Sequence, residues 1–332
     1  TWTDIELFGN SKYDWFKNFL ELPNGIPSHD TFNRVFSRLD PEQFQECFVN
    51  WVKAINSLFP EEIVAVDGKT LRNSYDKNQE QPALIMVSAW AQQSGLVLGQ
   101  KKVDEKSNEI TAIPELLKVL DLKGAVVTID AIGCQKNIVA QIVDQGADYV
   151  ITLKKNQGGL YQRVDELFKK EQLPPELVPY YSYYQKEESK EGRTHTRVYQ
   201  VFNNIQGVVD QDEEWKNLNS VACVQYFQKK RTGEIEEKTK YIITSFSQEA
   251  QELSPSIRGH WSIENQLHWT LDVAFNEDES RIRKDNAPQN MAIIRHIALN
   301  LLKQNKTQKG SVRSKRNRAG WDNDYLLELL IS

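Results

Sequence analysis

The chain has 332 residues, of which 39% are hydrophobic, and carries a formal net charge of −5 with a pI near 5.7. This length allows one large domain or two moderate ones with a sizeable core. The acidic balance argues against a simple nucleic-acid coat protein, although it leaves room for local basic grooves.

The cysteines and the lengths of the apolar runs indicate in which cellular compartment the protein is expected. The three cysteines are not at metal-ligand spacing, which predicts reduced thiols. No stretch reaches the ~18 apolar residues of a membrane span, and no signal peptide opens the chain. We therefore expect a cytoplasmic protein without a membrane partner. Because the first residue is Thr1 and not Met, we also expect a further segment upstream.

The first 60 residues carry apolar side chains at helical spacing. Phe44, Phe48 and Val52, for example, fall on one face of a helix. A breaker cluster with two prolines and a glycine at 23–27 separates the helical stretches. This pattern predicts a helical N-terminal region.

From residue 62 the chain alternates short apolar strands with helices. The predicted elements are strands at 62–67, 83–91 and 96–103, a helix at 109–120, a strand at 125–130, a helix at 135–145 and a strand at 149–153. This order predicts an α/β fold in which a mixed sheet is flanked by helices.

The remainder breaks that rhythm and then returns to helices. A helix at 160–170 leads into polar strands at 194–202, 221–229 and 238–245, and helices follow at 257–271, 286–303 and 324–331. We therefore divide the chain into a helical region (1–60), an α/β domain (61–159 with 256–305), a β-rich insertion (160–255), and a basic tail with a short helix (306–332).

Two of the apolar strands end on an aspartate, Asp67 and Asp130. If these strands are neighbours, the carboxylates lie close together, and one pKa should rise unless a cation intervenes. Mg²⁺ prefers such hard oxygen ligands. The alternative for each aspartate is a solvated residue that caps a turn.

A third acid is expected from the segment 258–269, which is dense in His and Trp. On a helix, Glu264 shares a face with Trp261 and His268. The spacing does not match a zinc-protease helix, which needs two His four residues apart. The alternative is a buried aromatic helix with a salt-bridged glutamate.

Four motifs in order carry a resemblance to a known family. They are VDGK, VVTIDAIGCQ, YVITLKKNQ and HWSIENQLHWTLDVAFNED. Together they resemble the DDE-type insertion-sequence transposases, and more closely the H-repeat-associated subgroup. The resemblance implies a ribonuclease H-like fold with a β-rich insertion before the last catalytic helix. It assigns the three catalytic and metal-binding acids to Asp67, Asp130 and Glu264.

The resemblance also implies chemistry and partners. The expected cofactor is a pair of Mg²⁺ ions, for which Mn²⁺ can substitute. The expected reaction is strand cleavage at the ends of an element, followed by attack of the freed 3′-hydroxyl on target DNA. The expected partners are double-stranded element ends and target DNA, bound by a homodimer, which implies a bacterial cytoplasmic protein associated with the nucleoid.

The sequence departs from the family's Tyr-Arg-Glu-Lys signature around the third acid. His260 stands where Arg is expected and Leu271 where Lys is expected, so Arg258 and Lys284 are the candidates to replace them. The departure concerns the handling of DNA ends, including a hairpin intermediate, and leaves the three acids intact.

Several basic and aromatic residues are candidate DNA contacts. They are Lys69, Arg72, Lys154, Lys155, Arg231, Arg258, His260, Trp261 and Lys284. The strongest basic cluster is the segment 303–318. Each charge run can also be a solvated surface, and for Trp261 and Trp269 we favour packing in the core over stacking on a flipped base.

Two other functions remain open at this point. One is a ribonuclease H-like nuclease that uses the same acids without strand transfer. The other is a catalytically inactive DNA-binding relic. Joined products from ends that are already cut distinguish a transposase from the nuclease, and metal-dependent nicking excludes the relic.

Overall fold

The computed structural model describes residues 1–55, 59–75, 82–104, 107–170, 172–190, 193–210, 214–229 and 234–331. All three cysteines carry free thiols, and Cys134 and Cys223 are buried. Within the described ranges, no helix is both long and apolar enough to cross a membrane.

In the described residues, nine strands form one mixed sheet. They are β1 (Ile63–Thr70), β2 (Ile85–Ala91), β3 (Leu96–Lys102), β4 (Val126–Ile129), β5 (Asp148–Leu153), β6 (Tyr181–Lys190), β7 (Arg193–Phe202), β8 (Ser220–Lys229) and β9 (Ile235–Thr244). Their order across the sheet is β3-β2-β1-β4-β5-β9-β8-β7-β6. β1, β4 and β5 are parallel, and the other neighbouring strands run antiparallel.

Helices cover the sheet and form the N- and C-terminal regions. The α-helices are α1 (Trp2–Ser11), α2 (Tyr13–Phe16), α3 (His29–Arg38), α4 (Pro41–Ile55), α5 (Glu109–Val119), α6 (Lys136–Asp144), α7 (Gly158–Phe168), α8 (Gln206–Val209), α9 (Ala250–Gly259), α10 (Trp269–Phe275), α11 (Ala287–Gln304), α12 (Val312–Trp321) and α13 (Asn323–Ile331). A π-helix, Ile263–His268, precedes α10. The mixed sheet, the flanking helices and the helical N-terminal region confirm the predicted fold class.

Burial in the core explains why the sequences of the central strands are continuous runs of apolar residues. Val64, Ala65 and Val66 of β1 are fully buried, as are Val127 and Val87 on the strands beside it. A strand that is covered by helices on both faces has no solvent side, so it loses the alternating pattern of a half-exposed strand. Burial of these strands holds the sheet rigid beneath the polar residues that follow them.

The β3 edge of the sheet is closed by α11. The side chain of Asn300 donates to Val97 O at 2.9 Å and accepts from Val97 N at 2.8 Å, and both residues are buried. These two bonds satisfy backbone groups of an edge strand that would otherwise be open to pairing with another chain. Helix α11 is thereby tied to the β3 edge of the sheet.

The β-rich insertion adds its strands to the same sheet. β9 pairs antiparallel with β5, for example Ile151 with Ile243. The insertion therefore extends the central sheet, and its base is packed against the same core.

Three elements differ from the sequence prediction. Residues 181–190, for which the sequence predicts no element, form strand β6. The single helix predicted at 257–271 is three pieces, α9, the π-helix and α10. The predicted basic tail contains helix α12. Its nearly buried Lys315 attaches it to the end of α11 by donating to Leu302 O at 3.1 Å and to Asn305 O at 2.6 Å.

Candidate functional site: an acidic rim over the central strands

Asp67 and Asp130 lie beside each other where the parallel pairing of β1 and β4 stops. The last paired residues of that ladder are Val66 and Ile129, so the two aspartates follow at the same level of the sheet. Neighbouring strands are about 4.8 Å apart. The two carboxylates therefore share one edge, as expected if the two strands are neighbours.

β1 itself does not end at Asp67. It continues to Thr70 through antiparallel pairing with β2, in which Asp67 is opposite Ser88. The prediction that the strand ends on the carboxylate was wrong in this detail. What ends there is the pairing with β4, and this leaves one side of Asp67 open.

The turn after Asp130 is held by its own hydrogen bonds. An Asp130 carboxylate oxygen accepts from Ile132 N at 2.9 Å. Asn156 donates to Ala131 O at 2.9 Å, and Gln157 donates to Cys134 O at 2.8 Å. The Asn-Gln pair after β5 thus fixes the loop that orients Asp130.

Glu264 lies on the π-helix, close enough to Asp67 for its charge to act on that carboxylate. Ile263 and Leu267, on either side of it, are fully buried and anchor the π-helix to the core, whereas Glu264 is exposed. The preceding segment lies close to the central strands, because a Cβ on Gly259 would stand 2.8 Å from Ile63 side-chain atoms. π-helices are rare and occur frequently at functional sites.

Burial and mutual repulsion change the protonation of this rim. Burial, and then the charges of Asp130, Glu264 and Glu109, raise the pKa of Asp67 to about 7, against a lowering effect of the Gly68 backbone N–H. Among the described residues, no Lys or Arg forms an ion pair with any of these four acids. We call Asp67, Asp130, Glu264 and Glu109 the acidic rim.

Glu109 was missed by the sequence analysis. It is the first residue of α5, and burial followed by the charge of Asp130 raises its pKa. The available signal was its place at the start of the helix that follows the β2–β3 hairpin, because β3 ends at the same side of the sheet as the β1–β4 ladder. Sequence spacing alone gave no reason to connect it with residues 42 and 21 positions away.

His268 contacts Asp67 but does not neutralise it. Its Nδ1 is 3.7 Å from Asp67 Oδ2. Burial, and then the charge of Lys69, lower the pKa of His268 to about 4. The imidazole is therefore neutral at pH 7 and leaves the carboxylate charge uncompensated.

Lys240 is a second residue that sequence reasoning missed. It lies on β9 with its ammonium 4.2 Å from the centre of the Trp261 ring. Burial and the charge of Lys154 lower its pKa, while Glu264 and Asp130 act in the opposite direction. A cation over an aromatic ring is thus placed beside the acidic rim.

Both tryptophans of the third motif lie at the surface. Trp261 is 39% exposed and Trp269 is 61% exposed. The expectation that they pack in the core was therefore wrong. Because the buried positions of this segment are taken by Ile263, Leu267 and Leu271, the indole rings are turned outward.

Lys69 is largely buried, and its ammonium lies among acidic side chains. Its side chain is 11% exposed and pairs with Asp272, with Glu277 at 2.9 Å and with Asp278 at 3.7 Å. The expectation that Lys69 contacts DNA phosphate stays a prediction, and in this structure its ammonium is paired with these acids. We call Lys69, Asp272, Glu277 and Asp278 the internal ion cluster.

Among the other basic residues predicted to contact DNA, two arginines pair with acidic side chains and two lysines are exposed. Arg258 pairs with Glu188 of β6 at 2.8 Å, and Arg72 is 79% exposed with Asp278 at 3.2 Å from its Nε. Lys154 and Lys155 are exposed directly after β5, on the side of the sheet that carries Asp130.

The remaining candidates lie elsewhere. His260 is half-buried beneath the rim, with Nδ1 at 3.4 Å from Thr128 Oγ1. Lys284 is exposed and lines a cavity of about 340 Å³ with residues of α3. Arg231 lies outside the described residues.

Part of the C-terminal basic segment is used in packing. Lys303 lies 4.5 Å from the Trp90 ring centre, and burial lowers its pKa to about 8. Arg316 donates to Ala274 O, and Arg318 pairs with Asp322 at 3.0 Å. Arg316 thus joins α12 to α10, and Lys303 packs α11 against β2.

Comparison with known proteins identifies the family. The family model described as "Transposase DDE domain" matches residues 58–301, and a second model, "DDE_Tnp_1-associated", matches residues 1–52. The H repeat-associated putative transposase YhhI of Escherichia coli K12 is 41% identical over 332 residues, covering 99% of this chain and 87% of the relative. The putative transposase YncI of Escherichia coli O157:H7 is 41% identical over 335 residues, covering 100% of this chain and 85% of the relative.

Among solved structures, the cryo-EM structure of the piggyBac transposase synaptic complex with hairpin DNA aligns with a TM-score of 0.37. The identity is 10%, with 95% of this chain and 75% of that chain covered. A likeness at this level establishes nothing about this chain. The family model and the two bacterial relatives cover both halves of the sheet and the four sequence motifs, and on that ground the chain belongs to the DDE transposase family.

Proposed function

We propose that this transposase cuts DNA strands at the ends of an insertion element and joins the freed 3′ ends to target DNA at the acidic rim. The observation that carries the proposal is the arrangement of Asp67 and Asp130 at the end of one parallel ladder, with Glu264 approaching from the π-helix. Both reactions are in-line displacements at phosphorus, so one site can serve both.

The acidic rim fits divalent cations in the chemistry of its donors. Its members are all carboxylates, the ligands that Mg²⁺ prefers, and each of the other three raises the pKa of Asp67. Within the described ranges, no three His, Cys, Asp or Glu side chains are already arranged so that they could hold a metal ion. Since like charges keep such side chains apart, binding of a cation would draw Asp67, Asp130 and Glu264 inward.

When bound, Mg²⁺ supplies charge neutralisation, activation of the attacking oxygen and stabilisation of the leaving oxygen. Asp67 and Asp130 would hold the cations from the paired strands β1 and β4. Glu264 would hold the cations from the π-helix, whose backbone is less regular than that of the two strands. His268, held neutral by burial, packs against Asp67 without competing for its charge.

DNA binding in this proposal uses the surface around the rim. Lys154 and Lys155 supply positive charge after β5, and Arg72 supplies it beside the internal ion cluster. The exposed rings of Trp261 and Trp269 flank Glu264 and are available for stacking. We also propose a homodimer on paired element ends, as is general for transposases of this kind.

A strand-transfer assay tests the proposed function. DNA fragments with cut 3′-hydroxyl ends are mixed with a target plasmid, Mg²⁺ and the full chain. Products in which fragment and plasmid are joined support transposition. Nicked plasmid without joined products would instead identify a nuclease, and an absence of any metal-dependent cleavage would leave only DNA binding.

The control for this assay is the Asp130→Asn variant. It removes one charge of the rim while keeping the size of the side chain, so binding to DNA should persist while cleavage and joining are lost. An Asp130→Asn protein that still joins strands would overturn the proposed site.

A further inference from the structure

We propose that Glu109 is a fourth carboxylate ligand of the cation site, acting beside Asp67 and Asp130. The inference rests on the proposed function, because it assigns a further residue to the same metal site. It goes beyond the three acids that the resemblance assigns, since Glu109 belongs to none of the four motifs.

The first argument is the space that Gly68 leaves for Glu109. A Cβ built on Gly68 would lie 2.6 Å from Glu109 Cδ and 3.1 Å from Glu109 Cγ, and closer still to Oε1. Gly68 lies inside β1, paired with Val87, and does not have a positive φ. The glycine therefore serves to admit the Glu109 carboxylate against the backbone that follows Asp67.

The second argument is that the position of Glu109 is built into the fold. Asn108 caps α5, its side chain accepting from Ile110 N at 3.0 Å. The helix is then anchored by Leu116 and Leu117, which are fully buried. The first residue of α5 is thereby held beside the rim.

The third argument is electrostatic. An acid at a helix N-terminus is stabilised by the helix dipole and can extend into water. Glu109 is instead half-buried beside two other acids, and burial and Asp130 raise its pKa. Among the described residues no cation pairs with it. A site for an external cation accounts for this arrangement.

Calorimetric titration of the full chain with Mn²⁺, in the absence of DNA, tests the inference without relying on activity. Glu109→Gln should weaken Mn²⁺ binding by about tenfold or more. The matched control is Glu115→Gln on the same helix, where the side chain is 53% exposed and pairs with Lys101 at 3.0 Å. This control should bind Mn²⁺ as the unmodified protein does.

A second measurement separates ligation from a structural role. In metal-free buffer, Glu109→Gln should keep or raise the melting temperature, because it removes repulsion from the rim. Addition of Mn²⁺ should then raise the melting temperature less than in the unmodified protein. A metal-free melting temperature that falls, together with an unchanged response to Mn²⁺, would show that Glu109 only supports the fold.

The Gly68 contact gives a further test. Gly68→Ala should displace the Glu109 carboxylate and weaken Mn²⁺ binding. In a Glu109→Ala background, the same glycine substitution should cause little additional weakening, because the carboxylate is already gone. Equal effects of Gly68→Ala in both backgrounds would contradict the inference.

The outcomes distinguish this inference from the proposed function. If Asp130→Asn abolishes Mn²⁺ binding while Glu109→Gln changes it less than twofold, Glu109 is not a ligand and the proposed site stands. If the unmodified protein binds no Mn²⁺, both fall together.

Discussion

Two groups of carboxylates meet at strand β1, and they are treated in opposite ways. At Lys69, the internal ion cluster surrounds an ammonium with three acids, and Arg295 lies 3.6 Å from Glu277 as a second cation. At Asp67, two residues earlier, the acidic rim has no Lys or Arg partner within the described part of the chain.

The difference separates a structural cluster from a candidate catalytic one. Glu277 is 3% exposed, and a buried carboxylate is tolerated when it is paired and hydrogen-bonded. Asp67 is also largely buried, yet its repulsion by the neighbouring acids is left in place. The fold supplies cations to the carboxylates around Lys69 and, among the described residues, none to the rim, which is the arrangement we expect of the proposed cation site.

The largest expected effect is on catalysis. Asp67→Asn, Asp130→Asn and Glu264→Gln should each lower the rate of strand cleavage by about 10⁴-fold, equivalent to about 5 kcal/mol of transition-state stabilisation. Cleavage of labelled element ends in Mg²⁺ measures it. Activity that survives any one substitution within tenfold would remove that acid from the site.

The internal ion cluster should respond in stability instead. Lys69→Met leaves Glu277 and its neighbours without their main cation and should cost about 3–5 kcal/mol of unfolding free energy. Denaturant titration measures it. The control is Lys154→Met, an exposed lysine for which we expect a change within about 0.5 kcal/mol. Equal effects of the two substitutions on the unfolding free energy would contradict a stabilising role of the internal ion cluster.

The acidic rim also predicts a pH dependence in metal-free buffer. The pKa of Asp67 is raised to about 7 in the folded protein from 3.8, so its protonated form is favoured by folding. As far as this group is concerned, stability should be greatest below pH 4 and should fall by about 4 kcal/mol as the pH rises through 7.

The same pH series has two internal checks. Asp67→Asn should flatten the fall between pH 4 and 7, because the amide does not titrate. Mg²⁺ should also reduce it, because a bound cation favours the ionised carboxylate. A profile that is identical in all three samples would show that the pKa of Asp67 is not raised in the folded protein.

The smallest expected effect concerns DNA affinity. Trp261→Ala removes the exposed ring beneath Lys240 and should weaken binding of a DNA end by about 1 kcal/mol, or roughly fivefold. The matched control is Trp321→Ala on α12, where the ring is 80% exposed. Fluorescence anisotropy with labelled DNA measures both, and an equal loss would assign Trp261 no special role.

Much of the fold could be predicted from the sequence because its central strands are simple. Apolar runs such as residues 63–66 and 126–129 can only be buried strands or buried helix segments, and their lengths and flanking residues decide for strands. The pairing of β1 with β4 then brings Asp67 and Asp130 together, as the sequence suggested for neighbouring strands.

The parts that were missed depend on contacts between distant segments. Glu109 and Lys240 become neighbours of the rim only through the return of α5 and the pairing of β9 with β5. The π-helix was predicted as ordinary helix because both conformations bury residues at nearly the same spacing. We expected Trp261 and Trp269 to pack in the core, whereas aliphatic residues fill the core at this segment.

The most direct test of the central claim is a crystal of the full chain soaked in Mn²⁺ and measured for anomalous scattering. We expect one or two peaks between Asp67, Asp130 and Glu264, roughly 3.5–4 Å apart when both sites are filled. Peaks only elsewhere, or none under conditions that support cleavage, would contradict the assignment of the acidic rim as a cation site.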